Sequence, residues 1–182
     1  AATQDVFIEH VGMPILACIP LAVKALQDLG MHRKVQLIVS GGIRTGADVA
    51  KAMALGADAV AIGTAALIAL GDNDPKWESE YQKLGTTADA YDDWHEGKDP
   101  AGITTQDPEL FKRFDPILGG RRLKNYLKVM TLEAQTIARA CGKNHLHNLE
   151  PEDLCSLTIE AAAMAGVPLA GTKWIPGRDG GF

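Results

Sequence analysis

The sequence predicts an α/β fold built on parallel strands, and three observations carry that expectation. Two short, almost wholly apolar runs, VQLIV at residues 35–39 and AVAI at 59–62, each lead into glycine. Between them DVAKAMAL, at 48–55, has helical spacing and is closed by Gly56. Downstream, RRLKNYLKVMTLEAQTIARA at 121–140 repeats apolar residues at intervals of three and four, which marks an amphipathic helix. The strand, helix, strand unit of about 24 residues has the size of one parallel crossover, compact but typical of repeated α/β barrels.

Taken in order, PLAVKALQDL at 20–29 aligns Leu21, Ala22, Ala25, Leu26 and Leu29 on one face and predicts a helix stopped by Gly30. The run at 35–39 is β-branched and apolar throughout, as strands covered on both faces are. Gly41, Gly42 and Gly46 form the loop before the next helix. From residue 72 to 99 the chain turns polar, acidic and aromatic. There Trp77, Tyr81 and Leu84 are spaced to share a helix face that packs on the host domain or on a neighbouring subunit. His95, among Asp92, Asp93 and Glu96, reads as part of a solvated acidic loop, because no second His or Cys stands at ligand spacing. After the helix at 121–140, ended by Gly142, a second helical pattern runs over 152–164, entered through Pro151 with Glu150, Glu152 and Asp153 at its amino end. His145 and His147 in KNHLHN read as a loop pair in ordinary hydrogen bonds, and the tail GTKWIPGRDGGF as extended or mobile. Three segments result: 1–71 with the βα units, 72–101 as an acidic aromatic insertion, and 102–182 as a helical region and tail.

Composition narrows the function. With 182 residues, 46% apolar and 23% charged, the chain has material for one globular domain. A net charge of −5 without a basic face argues against nucleic acid or an anionic membrane as partner. No apolar run reaches the roughly 18–20 residues of a membrane span, and the first residues form no leader, so a soluble, cytoplasmic protein is expected. Cys18, Cys141 and Cys155 are odd in number and widely spaced, which fits reduced thiols rather than a disulfide framework or metal clip. The chain begins with Ala1 in what reads as a loop, and shows two strands where a closed βα barrel takes eight units. A fragment is therefore expected, the carboxyl-terminal portion of a barrel followed by a helical extension. Its catalytic residues would lie upstream, and the isolated piece would be inactive and prone to aggregate.

At the carboxyl ends of parallel strands, the loop before each helix points unpaired N–H groups outward, and a helix start is a ready anion site. Two such loops side by side surround one phosphate, and in eight-stranded βα barrels the recurring place is the loops after strands seven and eight. Gly41 and Gly42 suit the first loop; Gly63 and Thr64 suit the second, with the Thr64 hydroxyl as a further donor. Arg44 either adds charge there or is a solvated surface residue. A strand followed by two glycines also serves simply as a tight bend, so the pair of loops carries more weight than either alone.

These residues carry a family likeness. SGGIRTGADVAKAMALGADAVAIGTAAL resembles the phosphate-binding end of FMN barrels such as glutamate synthase, IMP dehydrogenase and the 2-hydroxy-acid oxidases. GITTQDPELFKRFD at 102–115 and NYLKVMTLEAQTIARACG at 125–142 resemble the segment beyond the barrel in the FMN-binding synthase domain of glutamate synthases. The resemblance implies a TIM (β/α)8 barrel whose strand six precedes residues 1–14. It implies an FMN phosphate held by Ser40, Gly41, Gly42, Arg44, Gly63 and Thr64, Ser40 standing where relatives often have Asp. In the resembled family two cysteines of a 3Fe-4S cluster fall where this chain has Asp72 and Asp99, and the interval between holds no Cys, so the cluster is expected to be absent. Without that relay, and with the aromatic interval GDNDPKWESEYQKLG, the chain is most similar to the glutamate-synthase-like subunit of methylamine-glutamate N-methyltransferase, or N-methylglutamate synthase. That likeness implies glutamate or 2-oxoglutarate and methylamine or ammonia as substrates, with glutaminase-like and other subunits as partners. Glutamate synthase proper and a non-catalytic assembly subunit are the alternatives.

Overall fold

The computed structural model describes residues 5–87 and 97–178. The fold is α/β, with helices α1 to α8, and the chain divides into two compact units, Met13–Ile62 with Val129–Phe182, and Ala1–Gly12 with Gly63–Lys128.

In the first of these units, β1 (Ile38–Ser40) pairs in parallel with β2 (Ala59–Ala61) in the register Ile38↔Ala59, Val39↔Val60, Ser40↔Ala61. The strand expected over 35–39 is thus displaced. Val35 makes an isolated bridge with His32, and Leu37 is tied to Asp58 twice, its N–H donating to the carboxylate at 2.7 Å and its carbonyl accepting the Asp58 N–H at 2.8 Å, which fixes the approach to β1. Between the strands, α3 (Gly46–Ala54) starts two residues ahead of the apolar pattern, because Thr45 caps it in a reciprocal box with Asp48.

Before β1 lies α2 (Ile15–Asp28), which starts five residues ahead of the expected Pro20 and carries Pro20 inside it. The Pro14 carbonyl already accepts the N–H groups of Ala17 and Cys18, so the helix is nucleated before Pro20 is reached. It ends as expected at Gly30, whose φ of 63° lets Met31 N–H reach the Leu26 carbonyl and its own N–H reach that of Gln27.

The core of this unit gathers Ile19, Val39, Ile43, Leu55 and Val167, with Val60 packed against it. A second cluster joins Ala50 and Ala54 of α3 to Ala138 and Leu149. The helix expected over 152–164 is interrupted. A 3-10 turn (Pro151–Asp153) is followed by chain that pairs Ser156 with residues 168–170, and α8 (Ile159–Ala165) begins only where the Thr158 hydroxyl accepts the Ala161 N–H. The described part of the tail closes on itself, Leu169 N–H donating to the Trp174 carbonyl at 2.9 Å.

The other unit holds α1 (Asp5–His10), α4 (Thr64–Leu70), a 3-10 turn (Pro75–Trp77), α5 (Glu78–Lys83) and α6 (Pro108–Phe111). The long α7 (Pro116–Ala140) belongs to it as far as Lys128 and to the sheet-bearing unit beyond. This helix begins five residues ahead of the expected 121, where the Asp115 carboxylate accepts the N–H groups of Ile117 and Leu118. Of the aromatic stripe, Tyr81 is wholly buried, Trp77 half-buried, and Leu84 lies exposed past the end of α5. His95 and its acidic neighbours lie outside the described residues. Among those described, no helix is long and apolar enough to cross a membrane.

Glycine separates two sites by packing. A Cβ on Gly46 would stand 2.3 Å from the Met130 carbonyl oxygen and 2.6 Å from the Ala134 nitrogen, so α3 touches α7 through bare backbone. Gly120, inside α7, would meet nothing within 4 Å. Gly46→Ala is expected to destabilise the full-length protein by about 1–3 kcal/mol, whereas Gly120→Ala raises its stability by up to about 1 kcal/mol. Calorimetric melting of both variants beside the parent checks this; a neutral Gly46→Ala would refute the close approach.

Candidate functional site

The strand tips end at one level, because Ser40 and Ala61 are register partners. Ser40 is exposed and is followed by Gly41 (φ 139°) and Gly42 (φ 66°), both in the backbone region that disfavours side chains. A Cβ on Gly42 would meet nothing within 4 Å; one on Gly41 would only touch Ile15 at 3.7 Å. The next residue, Ile43, is buried and anchors the turn to the core, and Arg44 returns to the surface.

The amino end of α3, just beyond, is already satisfied. The Asp48 carboxylate accepts the N–H groups of Arg44 (3.0 Å) and Thr45 (2.9 Å) and the Thr45 hydroxyl (3.0 Å), while Glu133 accepts the Gly46 N–H at 2.8 Å. Partial burial pulls the Asp48 carboxyl upward, but those hydrogen bonds outweigh it and hold it below the ordinary range. Two carboxylates thus occupy this helix start, and an incoming anion would meet negative charge there.

The corresponding loop after β2 differs. Gly63 (φ 42°, ψ −111°) leads into Thr64, the first residue of α4, and no side chain among the described residues caps this start. Both residues are exposed, and a Cβ on Gly63 would meet nothing within 4 Å. Backbone N–H groups free of competing carboxylates are the donors that a phosphate or carboxylate takes.

A buried polar group that sequence reading missed lies past the end of α4. Asp99 (0% exposed) accepts the N–H groups of Ala101, Ile103 and Thr104 at 2.8–3.0 Å and the Tyr81 hydroxyl at 3.3 Å. Asp72, 2% exposed, contacts it, and neither Asp72 oxygen has a well-aligned donor among the described residues. Burial first, and then the Asp99 charge, push the Asp72 carboxyl up to about 6, against a smaller pull from the Asn73 N–H. The same order of causes, burial before the charges of Asp99 and Asp72, raises the Tyr81 hydroxyl. The signal available in sequence was DPAGIT at 99–104, an Asp followed by small residues and Gly102 at φ 78°, the composition of a turn wrapped on an Asp side chain.

A groove of 630 Å³ lies elsewhere and is lined by Gln135, Arg139, Lys143, His145 and His147. Its two imidazoles stack 5.1 Å apart with Nδ1 atoms 3.3 Å from each other, and His147 Nε2 lies 3.0 Å from the Asp58 carbonyl oxygen, to which it donates. Asp58 precedes β2, so this contact lies at the opposite end of the strand from the glycine loop. No group of three or more His, Cys, Asp or Glu among the described residues is arranged to hold a metal ion.

The chain is similar to known proteins over the segments that hold these loops. The family described as "Conserved region in glutamate synthase" matches residues 1–76 and 87–144. The chain is 86% identical over 178 residues to the glutamate synthase large subunit-like protein of Rhizobium meliloti, covering 98% of this chain and 40% of that protein. It is 41% identical over 148 residues to the archaeal glutamate synthase [NADPH] of Methanocaldococcus jannaschii, covering 81% of this chain and 26% of the relative. The glutamate synthase large subunit-like protein YerD of Bacillus subtilis is 28% identical over 136 residues, 75% of this chain and 23% of the relative. The chain thus spans two fifths or less of each of these proteins, and no solved structure matches it. A match that holds the first glycine loop, the second, and the TQDPEL segment in one order leaves a single assignment: the chain belongs to the glutamate synthase family.

Proposed function

We propose that this chain is part of an FMN-dependent enzyme of glutamate and amine metabolism, and that residues 1–71 are the last βα units of its TIM barrel. On this reading, 72–101 are an insertion and 102–182 a helical region beyond the barrel. The FMN phosphate is taken by the backbone N–H groups of Gly41, Gly42, Gly63 and Thr64, with the hydroxyls of Ser40 and Thr64 as further donors. What supports the assignment is the chemistry of each loop: glycine backbone, open space where a Cβ would stand, and an uncapped start to α4. Arg44 contributes charge only through its exposed guanidinium, since its N–H is held by Asp48. When bound, FMN supplies the redox chemistry of the imine stage. The groups that hold substrate or move its protons belong to earlier strands, and this chain's part is to fix the phosphate end of the cofactor.

One observation favours N-methylglutamate synthase within the family. Asp72, Asp99 and the Tyr81 hydroxyl form a buried oxygen cluster where the resembled family has cluster thiolates. Iron–sulfur centres are held by thiolates, so these residues do not fit one. Exchange of methylamine for ammonia on glutamate, giving N-methylglutamate, consumes no net electrons and needs no such relay. A second reading, reductive amination of 2-oxoglutarate, draws on the archaeal relatives named as NADPH glutamate synthases. A third, a scaffold in an assembly with glutaminase-like and other subunits, draws on the name "large subunit-like".

The full-length protein is expected to purify with bound flavin. Gly42→Val, which puts a branched side chain at φ 66°, should weaken flavin binding about tenfold or more, while Gly120→Ala retains it; unchanged flavin content in Gly42→Val sinks the phosphate assignment. In the complete complex, glutamate with methylamine should yield N-methylglutamate, with iron far below one equivalent. Stoichiometric iron, or NADPH oxidation dependent on 2-oxoglutarate and ammonia without turnover of methylamine, would establish the second reading instead.

A further inference from the structure

Residues 77–86 fall in the stretch that the family match passes over, yet Tyr81 within them is 0% exposed. Here they deliver a phenol to the point where two aspartates meet. Four donors converge on Asp99, so its oxygens act as acceptors. Asp72 has no well-aligned donor among the described residues, and its contact with Asp99 becomes a hydrogen bond only if a proton lies between the two. We propose that Asp72 and Asp99 hold one proton between them, Asp72 O–H donating to the Asp99 carboxylate, and that this proton with the Tyr81 hydroxyl forms a pH-sensitive latch tying residues 97–105 to the carboxyl end of α4.

Among the described residues, the ion pairs of Lys76, Arg113 and Arg122 are made with groups other than this pair. Arg113 lies 2.7 Å from Glu80 and donates to the Pro100 carbonyl. Lys76 and Arg122 face Asp74, at 3.4 and 3.9 Å. Glu78 accepts from Gln82, and Lys98, next to Asp99, is exposed. After burial, the charge that bears on Asp72 is that of Asp99.

Linkage sets the sign. The closed form binds the Asp72 proton up to about 6 and the open form only to 3.8, the ordinary value of a solvated aspartate. Closure is therefore fully favoured below about pH 4, loses strength as pH rises to about 6, and is level above that. The latch is tight in mild acid and loosens towards neutrality. Gly71 caps α4 and Asp72 follows it, so loosening frees the far end of the helix that starts at Gly63 and Thr64.

Hydrogen exchange of the full-length protein, read by mass spectrometry on residues 97–105 and corrected for intrinsic rates, tests this without reference to flavin or substrate. Wild-type protection should fall by about tenfold per pH unit between pH 4 and 6, roughly hundredfold in all, then level off. Asp72→Asn, whose amide donates to Asp99 at every pH, should abolish the slope and raise protection at pH 7. Tyr81→Phe should lower protection while leaving the slope. Protection that is flat or rises with pH, or a slope that survives Asp72→Asn, overturns the latch. So does a stoichiometric bound cation that is lost in Asp72→Asn, since the pair would then be its ligands. If Asp72→Asn fails to fold, the wild-type profile decides, together with an infrared band of a protonated carboxyl that must disappear through about pH 6.

Discussion

The pairing of Ile38–Ser40 with Ala59–Ala61 is three residues long, and the level at which both glycine loops begin depends on it. So short a ladder has few hydrogen bonds, and its register is fixed from outside. Asp58 accepts the Leu37 N–H at one end, Val39 and Val60 are held in the core, and α3 is pressed against α7 at Gly46 without an intervening side chain. A slip of one residue would turn Val39 outward and Ile38, now 64% exposed, inward. It would also separate Asp58 from Leu37, so packing and polar contacts enforce the same register.

The two helix starts beyond the strands look equivalent in sequence but differ in charge. At α3, Asp48 and Glu133 already accept the leading N–H groups, which stabilises the helix and repels a second anion. At α4 no side chain among the described residues does so. At the first loop an anion would therefore meet the turn at Gly41 and Gly42 rather than the helix behind it. The groove near His145 and His147 has its strand contact at Asp58, the end opposite the glycine loops, and ligands of parallel α/β folds bind at the carboxyl ends.

The parts of the fold legible in sequence were those fixed by neighbours along the chain. Gly30 and Gly56 stop helices because their backbones take positive φ, and α3 and α7 show their apolar faces in periodicity. The misplaced starts follow from where backbone N–H groups find acceptors: side-chain caps at Thr45 and Asp115 start α3 and α7 ahead of the apolar pattern, the Thr158 cap starts α8 within it, and at α2 the Pro14 carbonyl accepts the first N–H groups. Gly119 hid the true start of α7, since a glycine inside a helix reads as a break. Here the Phe114 ring and the Leu70 carbonyl fill the space its Cβ would need. The Asp72–Tyr81–Asp99 cluster was illegible for another reason. Nothing local marks an aspartate as buried, and an acidic, aromatic stretch reads as solvated until distant residues are brought together.

Oxygen and sulfur donors impose different occupants on a buried site. Thiolates stay ionised on soft iron, which cancels their charge, so a cysteine-lined pocket is stable only when loaded. Two carboxylates and a phenol, with three backbone N–H groups already spent on one of the acids, lack both the softness and the vacant ligands for that role. Left as two anions, the pair would repel itself in a medium that screens poorly. A single proton removes one charge and supplies the missing donor in the same step. Tyr81, from residues that the family match passes over, adds a fourth donor to Asp99 and fills the remaining space with its ring. A site of this composition therefore responds to pH where a thiolate site responds to metal supply.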